Sequence, residues 1–127
     1  MTVGNDGHLR GQHRFVGEQA AYPPANVLSE VEAVTGAALC IRRACFEEVG
    51  GFSEEYWNGN EDIDLCLSAR ACGWSVVYEP DSTLVYLESK SGPERFSRYQ
   101  HNVDAFTKRW QSRRSAPRSL TTERQTV

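Results

Sequence analysis

The sequence predicts an α/β domain. Three short β-type segments are separated by helical stretches with clear stop signals, and one long amphipathic helix closes the chain. The predicted order is β-α-α-β-β-α, without internal repeats. At 127 residues, 39% hydrophobic and 24% charged, the chain has the size and composition of one soluble domain with its own core.

Residues 1–30 are rich in Gly, His and Gln, carry Pro23-Pro24 and show little periodicity, so they predict an extended or looped lead-in. Val34 to Ile41 is a short apolar run of small residues and predicts a buried strand. Ala44 to Val49 predicts a short helix, stopped by Gly50-Gly51. After a loop at 50–59, Asn60 predicts an N-cap, with Glu61, Asp62 and Asp64 in the first turn of a helix running to Cys72 and Gly73 just past its end. Ser75 to Tyr78 and Thr83 to Leu87 predict two further strands. From Pro93, the series Phe96, Tyr99, Val103, Phe106 and Trp110 recurs every three or four residues, which predicts an amphipathic helix of about five turns. The ordered domain is therefore expected over 31–112, with 113–127 a disordered basic tail.

Charge and cysteines exclude several function classes. The tail carries +3 and the body −6, and an acidic body argues against nucleic acid as a partner. No run approaches the ~20 apolar residues of a membrane span, and the N-terminus lacks the apolar stretch of a signal peptide, so a cytoplasmic location is expected. Cys40, Cys45, Cys66 and Cys72 form no CxxC and have no neighbouring His; each sits in an apolar context, as expected of reduced thiols in the core.

The most informative stretch is 50–66, GGFSEEYWNGNEDIDLC. Seven acidic side chains fall between Glu47 and Asp64 with no Lys or Arg, interleaved with Phe52, Tyr56, Trp57 and three glycines. Such a cluster suits a cation, a polyhydroxylated ligand, or removal of a proton from a hydroxyl. Acidic residues in a first helical turn are equally what the helix dipole favours. On an ideal helix Asp62 and Asp64 lie about 200° apart, so the pair does not chelate one ion. Trp57 reads as either core filler or a platform for a sugar ring.

The ordered set Ala33-Val34-Thr35-Gly36-Ala37, Gly50-Gly51-Phe52, Glu61-Asp62-Ile63-Asp64-Leu65, Gly73-Trp74, Tyr78-Glu79-Pro80 and Asn102…Phe106…Trp110 resembles the C-terminal half of family-2 glycosyltransferases. The similarity is to the GT-A-fold, rhamnosyltransferase-like bacterial type and covers about residues 4–112. Asp6-Gly7…Gly11 resembles the short hairpin that precedes this region in such proteins. The resemblance implies a partial GT-A fold lacking the N-terminal nucleotide-binding half. It also implies an inverting transfer from a nucleotide-sugar to a glycan or lipid-linked acceptor, as in cell-wall polysaccharide synthesis. Asp62 would then be the general base; Glu61, Trp57 and Tyr56 would bind the acceptor, and Gly36 would lie against the donor. A divalent metal (Mg or Mn) belongs to the donor half of the family, held by a DxD motif that this chain lacks upstream of residue 60. A separate donor-binding half or a homodimer is the expected partner, at the inner face of the membrane where partners bring it there.

Three residues depart from the family pattern. Tyr86 stands where a His is usual, and a phenol with a pKa near 10 is a poor divalent ligand at neutral pH. Ser68 replaces an Arg four residues after Asp64, and Ser53 replaces an Asp. The chain alone is therefore expected to be inactive. The alternatives are a non-catalytic carbohydrate-binding or assembly module, or a fragment whose exposed apolar face associates.

Overall fold

The structure, a computed structural model, describes residues 1–5, 8–85, 87 and 92–115. The chain opens on an antiparallel hairpin, β1 (Thr2–Asn5) with β2 (Leu9–Gln12), in which Val3 pairs with Gly11. A second two-stranded ladder joins β3 (Ser29–Glu30) to β4 (Val77–Tyr78), extended by Val31 N–H donating to the carbonyl of Val76 at 2.9 Å. The helices are α1 (Arg43–Glu48), α2 (Glu61–Ala71) and α3 (Tyr99–Ser115).

The core lies where α2, α3 and the hairpin meet. Val3 and Leu9 from the hairpin pack with Ala33, Tyr56, Ile63, Cys66, Leu67, Phe106 and Trp110. Leu9 N–H donates to Thr107 Oγ1 at 2.9 Å, so the hairpin is docked on α3 by a buried hydrogen bond as well as by apolar contact. Thr2–Asn5 and Leu9–Gln12 are thus packed structure rather than a loose lead-in, whereas Asp6 and Gly7, quoted for the resemblance to a preceding hairpin, lie outside the described residues. Each strand is only four residues long and has little alternation, which is why periodicity did not reveal it.

The element order differs from β-α-α-β-β-α. The run 34–41 forms no strand: Thr35 Oγ1 accepts the N–H of Ala37, and Gly36–Ala38 is a single 3-10 turn. Its small side chains stay exposed, leaving little apolar area to hold a buried strand. The segment 83–87 forms no strand over its described residues, where Leu84, Val85 and Leu87 are exposed. Tyr86 lies outside the described residues, so the departure at that position does too.

The helices follow the sequence more closely. α1 ends before Gly50-Gly51, and α2 is capped at Cys72 with Gly73 beyond it. Asn60 occupies the N-cap of α2, but its side chain makes no capping bond and reaches α3 instead. The long C-terminal helix begins late: Pro93–Phe96 is a 3-10 turn, α3 starts at Tyr99, and only Val103, Phe106 and Trp110 of the predicted stripe are buried. The expected basic tail is helical through Ser115, and 116–127 lie outside the described residues. All four cysteines are free; Cys45 and Cys66 are buried as expected, whereas Cys40 and Cys72 are exposed. Among the described residues, no helix is long and apolar enough to cross a membrane.

Candidate functional site

The first turn of α2 sends its two aspartates to opposite sides. Asp64 points inward and is 2% exposed. Its Oδ1 accepts from the Tyr56 hydroxyl at 3.0 Å and from Trp110 Nε1 at 2.7 Å, and lies 3.1 Å from Arg109 Nε. A buried carboxylate requires such partners, because desolvation without them is costly. The cation beside Asp64 is Arg109, which comes from α3 rather than from the next turn of α2, where Ser68 stands. Asp64 is the polar pin between these two helices.

Asp62 faces the other way. Its Oδ2 accepts the backbone N–H of Gly36 at 2.7 Å, and its Oδ1 accepts the N–H of Ile63 at 2.8 Å. Both bonds come from backbone, so the carboxylate is fixed in direction while each oxygen retains a lone pair for a further donor. Glu61, beside it, has a buried Oε2 with no hydrogen-bond partner. Buried oxygens are normally satisfied, so this one is an exception among the described residues.

Glu61, Asp62 and Gly36 line one open cleft of about 1030 Å³, together with Asn58, Gly59 and Arg14. Three of the residues expected to act together are therefore adjacent. The other two are not at the cleft. Tyr56 is a core residue, its ring edge-on to Phe106 with centroids 6.3 Å apart and its hydroxyl committed to Asp64. Burial, and next the negative charge of Asp64, push its phenol well above the usual range, so it is a neutral donor. Trp57 is 52% exposed and packs under the Arg98 guanidinium, 5.0 Å from the ring centroid, outside the cleft lining. It is neither core filler nor, in this arrangement, a wall of the cleft.

No group of three His, Cys, Asp or Glu among the described residues is arranged to hold a metal ion. Asp62 and Asp64 diverge and both are bonded to protein donors, so these residues do not fit a divalent metal, and no step below is routed through one.

Sequence reasoning quoted Asn102 among the family-like motifs but gave it no role. Its signal was present: Asn102, Phe106 and Trp110 recur at intervals of four, which places a carboxamide on the buried stripe of α3.

Residues 12–121 match a family model described as glycosyltransferase like family 2. The chain belongs to this family. Among its relatives is "Uncharacterized protein y4gI" of Sinorhizobium fredii, 37% identical over 117 residues, which is 87% of this chain and 12% of that protein. An N-acetylglucosaminyl-diphospho-decaprenol L-rhamnosyltransferase of Mycobacterium tuberculosis is 36% identical over 58 residues, 46% of this chain and 19% of that enzyme. The O-antigen biosynthesis protein RfbC of Myxococcus xanthus is 38% identical over 58 residues, 46% of this chain and 4% of that protein. This family-2 chain thus spans only a small part of each of these relatives. No solved structure matches it.

Proposed function

We propose that this chain is the acceptor-side half of an inverting glycosyltransferase and that Asp62 is its general base. The observation that carries the reading is the pairing at the start of α2. One carboxylate is fixed by two backbone amides and its neighbour has a buried, unpartnered oxygen, both on the same cleft. An acceptor hydroxyl hydrogen-bonded to Asp62 would pass its proton to the carboxylate as its oxygen attacks the anomeric carbon of a nucleotide-sugar. The bond from that carbon to the diphosphate breaks, and the nucleoside diphosphate leaves with the electron pair. Glu61, which lines the same cleft, would accept from a second hydroxyl of the acceptor after a small rotation of its carboxylate and so orient the first. Placement supplies most of the advantage, since an ordinary carboxylate is a modest base at neutral pH.

The relatives' names support a carbohydrate acceptor, and one of them acts on a sugar carried by a diphospho-lipid. A lipid-linked glycan is accordingly the acceptor class we assign. The donor nucleotide and any divalent metal would be bound by a donor-binding half, outside the residues described here, acting with this chain at the membrane's inner face. Trp57, exposed beside the loop, would contact the more distal part of the glycan; Tyr56 keeps a packing role.

The test is turnover of a nucleotide-sugar by this chain fused to a donor-binding half of a relative. Asp62→Asn should lower the rate at least 100-fold, within the range attributed to general-base catalysis. The unfused chain should show no turnover. Full activity in the Asp62→Asn fusion would refute the assignment.

A further inference from the structure

The loop that leads into α2 is held in an unfavourable shape. Asn58, Gly59 and Asn60 have φ of 51°, 157° and 75° in succession, and two of these residues carry side chains. Asn adopts the left-handed region more readily than other side chains, but two such residues so close together persist only where their surroundings hold them. Asn58 and Gly59 line the cleft, so this is the piece of backbone that joins the cleft wall to Glu61 and Asp62.

The first part of α3 grips both ends of this loop. The Asn102 carboxamide closes a two-bond ring with a single residue of the loop: Oδ1 accepts Trp57 N–H at 2.8 Å, and Nδ2 donates to the Trp57 carbonyl at 2.7 Å. Asn60 Nδ2 donates back to the Asn102 carbonyl at 3.2 Å. His101 Nε2 lies 3.3 Å from the carbonyl of Glu55, and Arg98 covers the Trp57 ring. Asn102 itself is 3% exposed, so its amide is desolvated and its bonds are not shared with bulk water. An amide side chain at this place in an otherwise apolar stripe does nothing for packing that Leu would not do better. Its chemistry is spent on reading a backbone.

We propose that Asn102 is a positioning residue for the cleft carboxylates. By clasping Trp57 it sets the Trp57–Asn60 loop, and the loop sets where the first turn of α2 presents Glu61 and Asp62 to Gly36 and the ligand. The proposal rests on the reading of Glu61 and Asp62 as the working groups of the cleft. The coupling itself is a property of the free chain.

The experiment is NMR on the full chain without ligand, comparing wild type with Asn102→Ala and Asn102→Leu. In wild type the Gly36 amide proton should resonate downfield of a free amide, because it donates to Asp62 at 2.7 Å. In Asn102→Ala, exchange of the Trp57 amide should accelerate more than tenfold and the downfield displacement of Gly36 should shrink to less than half. The Phe106 amide in the middle of α3 should keep its protection to within about threefold. Asn102→Leu removes both side-chain bonds to Trp57 while keeping the buried volume filled. It should likewise reduce the Gly36 displacement, which covers the case in which the alanine variant unfolds. An unchanged Gly36 displacement in a folded variant that has lost Trp57 protection would overturn the proposal. So would an equal loss of protection at Trp57 and Phe106, which would make Asn102 only an anchor of α3. Neither readout needs glycosyl transfer, so failure of the turnover assay and failure of this coupling are separate results.

Discussion

The backbone N–H of Gly36 donates to Oδ2 of Asp62 at 2.7 Å, joining a 3-10 turn to the first turn of α2 across 26 residues of sequence. The approach is close enough that a Cβ on residue 36 would stand 3.2 Å from the Cβ of Asp62. Gly36→Ala therefore presses on the carboxylate's own stem by a few tenths of an ångström. We expect a change in stability of no more than about 1 kcal/mol by thermal unfolding, and a large shift of the residue 36 amide resonance. In a donor-half fusion the same variant should lose most of its turnover. A variant with native spectra and full turnover would show that this contact does not set Asp62.

The two aspartates of α2 should separate cleanly in stability. Asp64→Ala strips a buried acceptor from Tyr56, Trp110 and Arg109, and breaking a buried pair of this kind costs on the order of 3 kcal/mol. Asp62→Ala removes bonds at the rim of an open cleft and should cost about 1 kcal/mol or less. Urea denaturation of both variants checks the order; equal losses would contradict the division of roles.

Alkaline stability should depend on Tyr56. Its phenol ionises more reluctantly in the folded chain than in the unfolded one, chiefly through burial and then through the charge of Asp64. The stabilisation that follows from a raised value is complete below the unfolded value of 10.0 and is lost as pH rises above it. Tyr56→Phe should therefore flatten part of the decline in unfolding free energy above pH 10, while costing about 1 kcal/mol at neutral pH through the hydrogen bond to Asp64. A decline of unchanged steepness in the variant would count against it.

Thiol reactivity offers a simple check on packing. Cys45 and Cys66 are buried, and burial is the first cause that raises both thiols above their ordinary range. Cys40 and Cys72 are exposed. Titration with a disulfide reagent should find two fast thiols in the native chain and four after denaturation. Four fast thiols would mean that the core around Cys66 is open.

Local features were legible in the sequence wherever one segment decides its own conformation. The acidic first turn and Gly73 bracket α2, Gly50-Gly51 stop α1, and the spacing of Val103, Phe106 and Trp110 marks the buried face of α3. The 200° between Asp62 and Asp64 also follows from helix geometry, and it correctly sends the two carboxylates apart. The ordered motifs identified the family. The strands were less legible, because ladders of two and four residues owe their existence to what they pack on rather than to β propensity.

Which aspartate is buried, and what Tyr56 and Trp57 do, lay beyond the sequence. Two adjacent aromatic residues on one glycine-rich loop look alike in a sequence. In the fold Tyr56 is drawn inward because its hydroxyl joins Trp110 and Arg109 of α3 at one carboxylate oxygen of Asp64, while Trp57 is held outside by the carboxamide of Asn102. The sequence by itself determined the presence of the helices, the ends of α1 and α2 and the family, since these depend on neighbours along the chain. The tertiary structure alone decided the cleft, because Gly36, Asp62 and Asn102 act through hydrogen bonds between segments far apart in sequence, and no local periodicity encodes those.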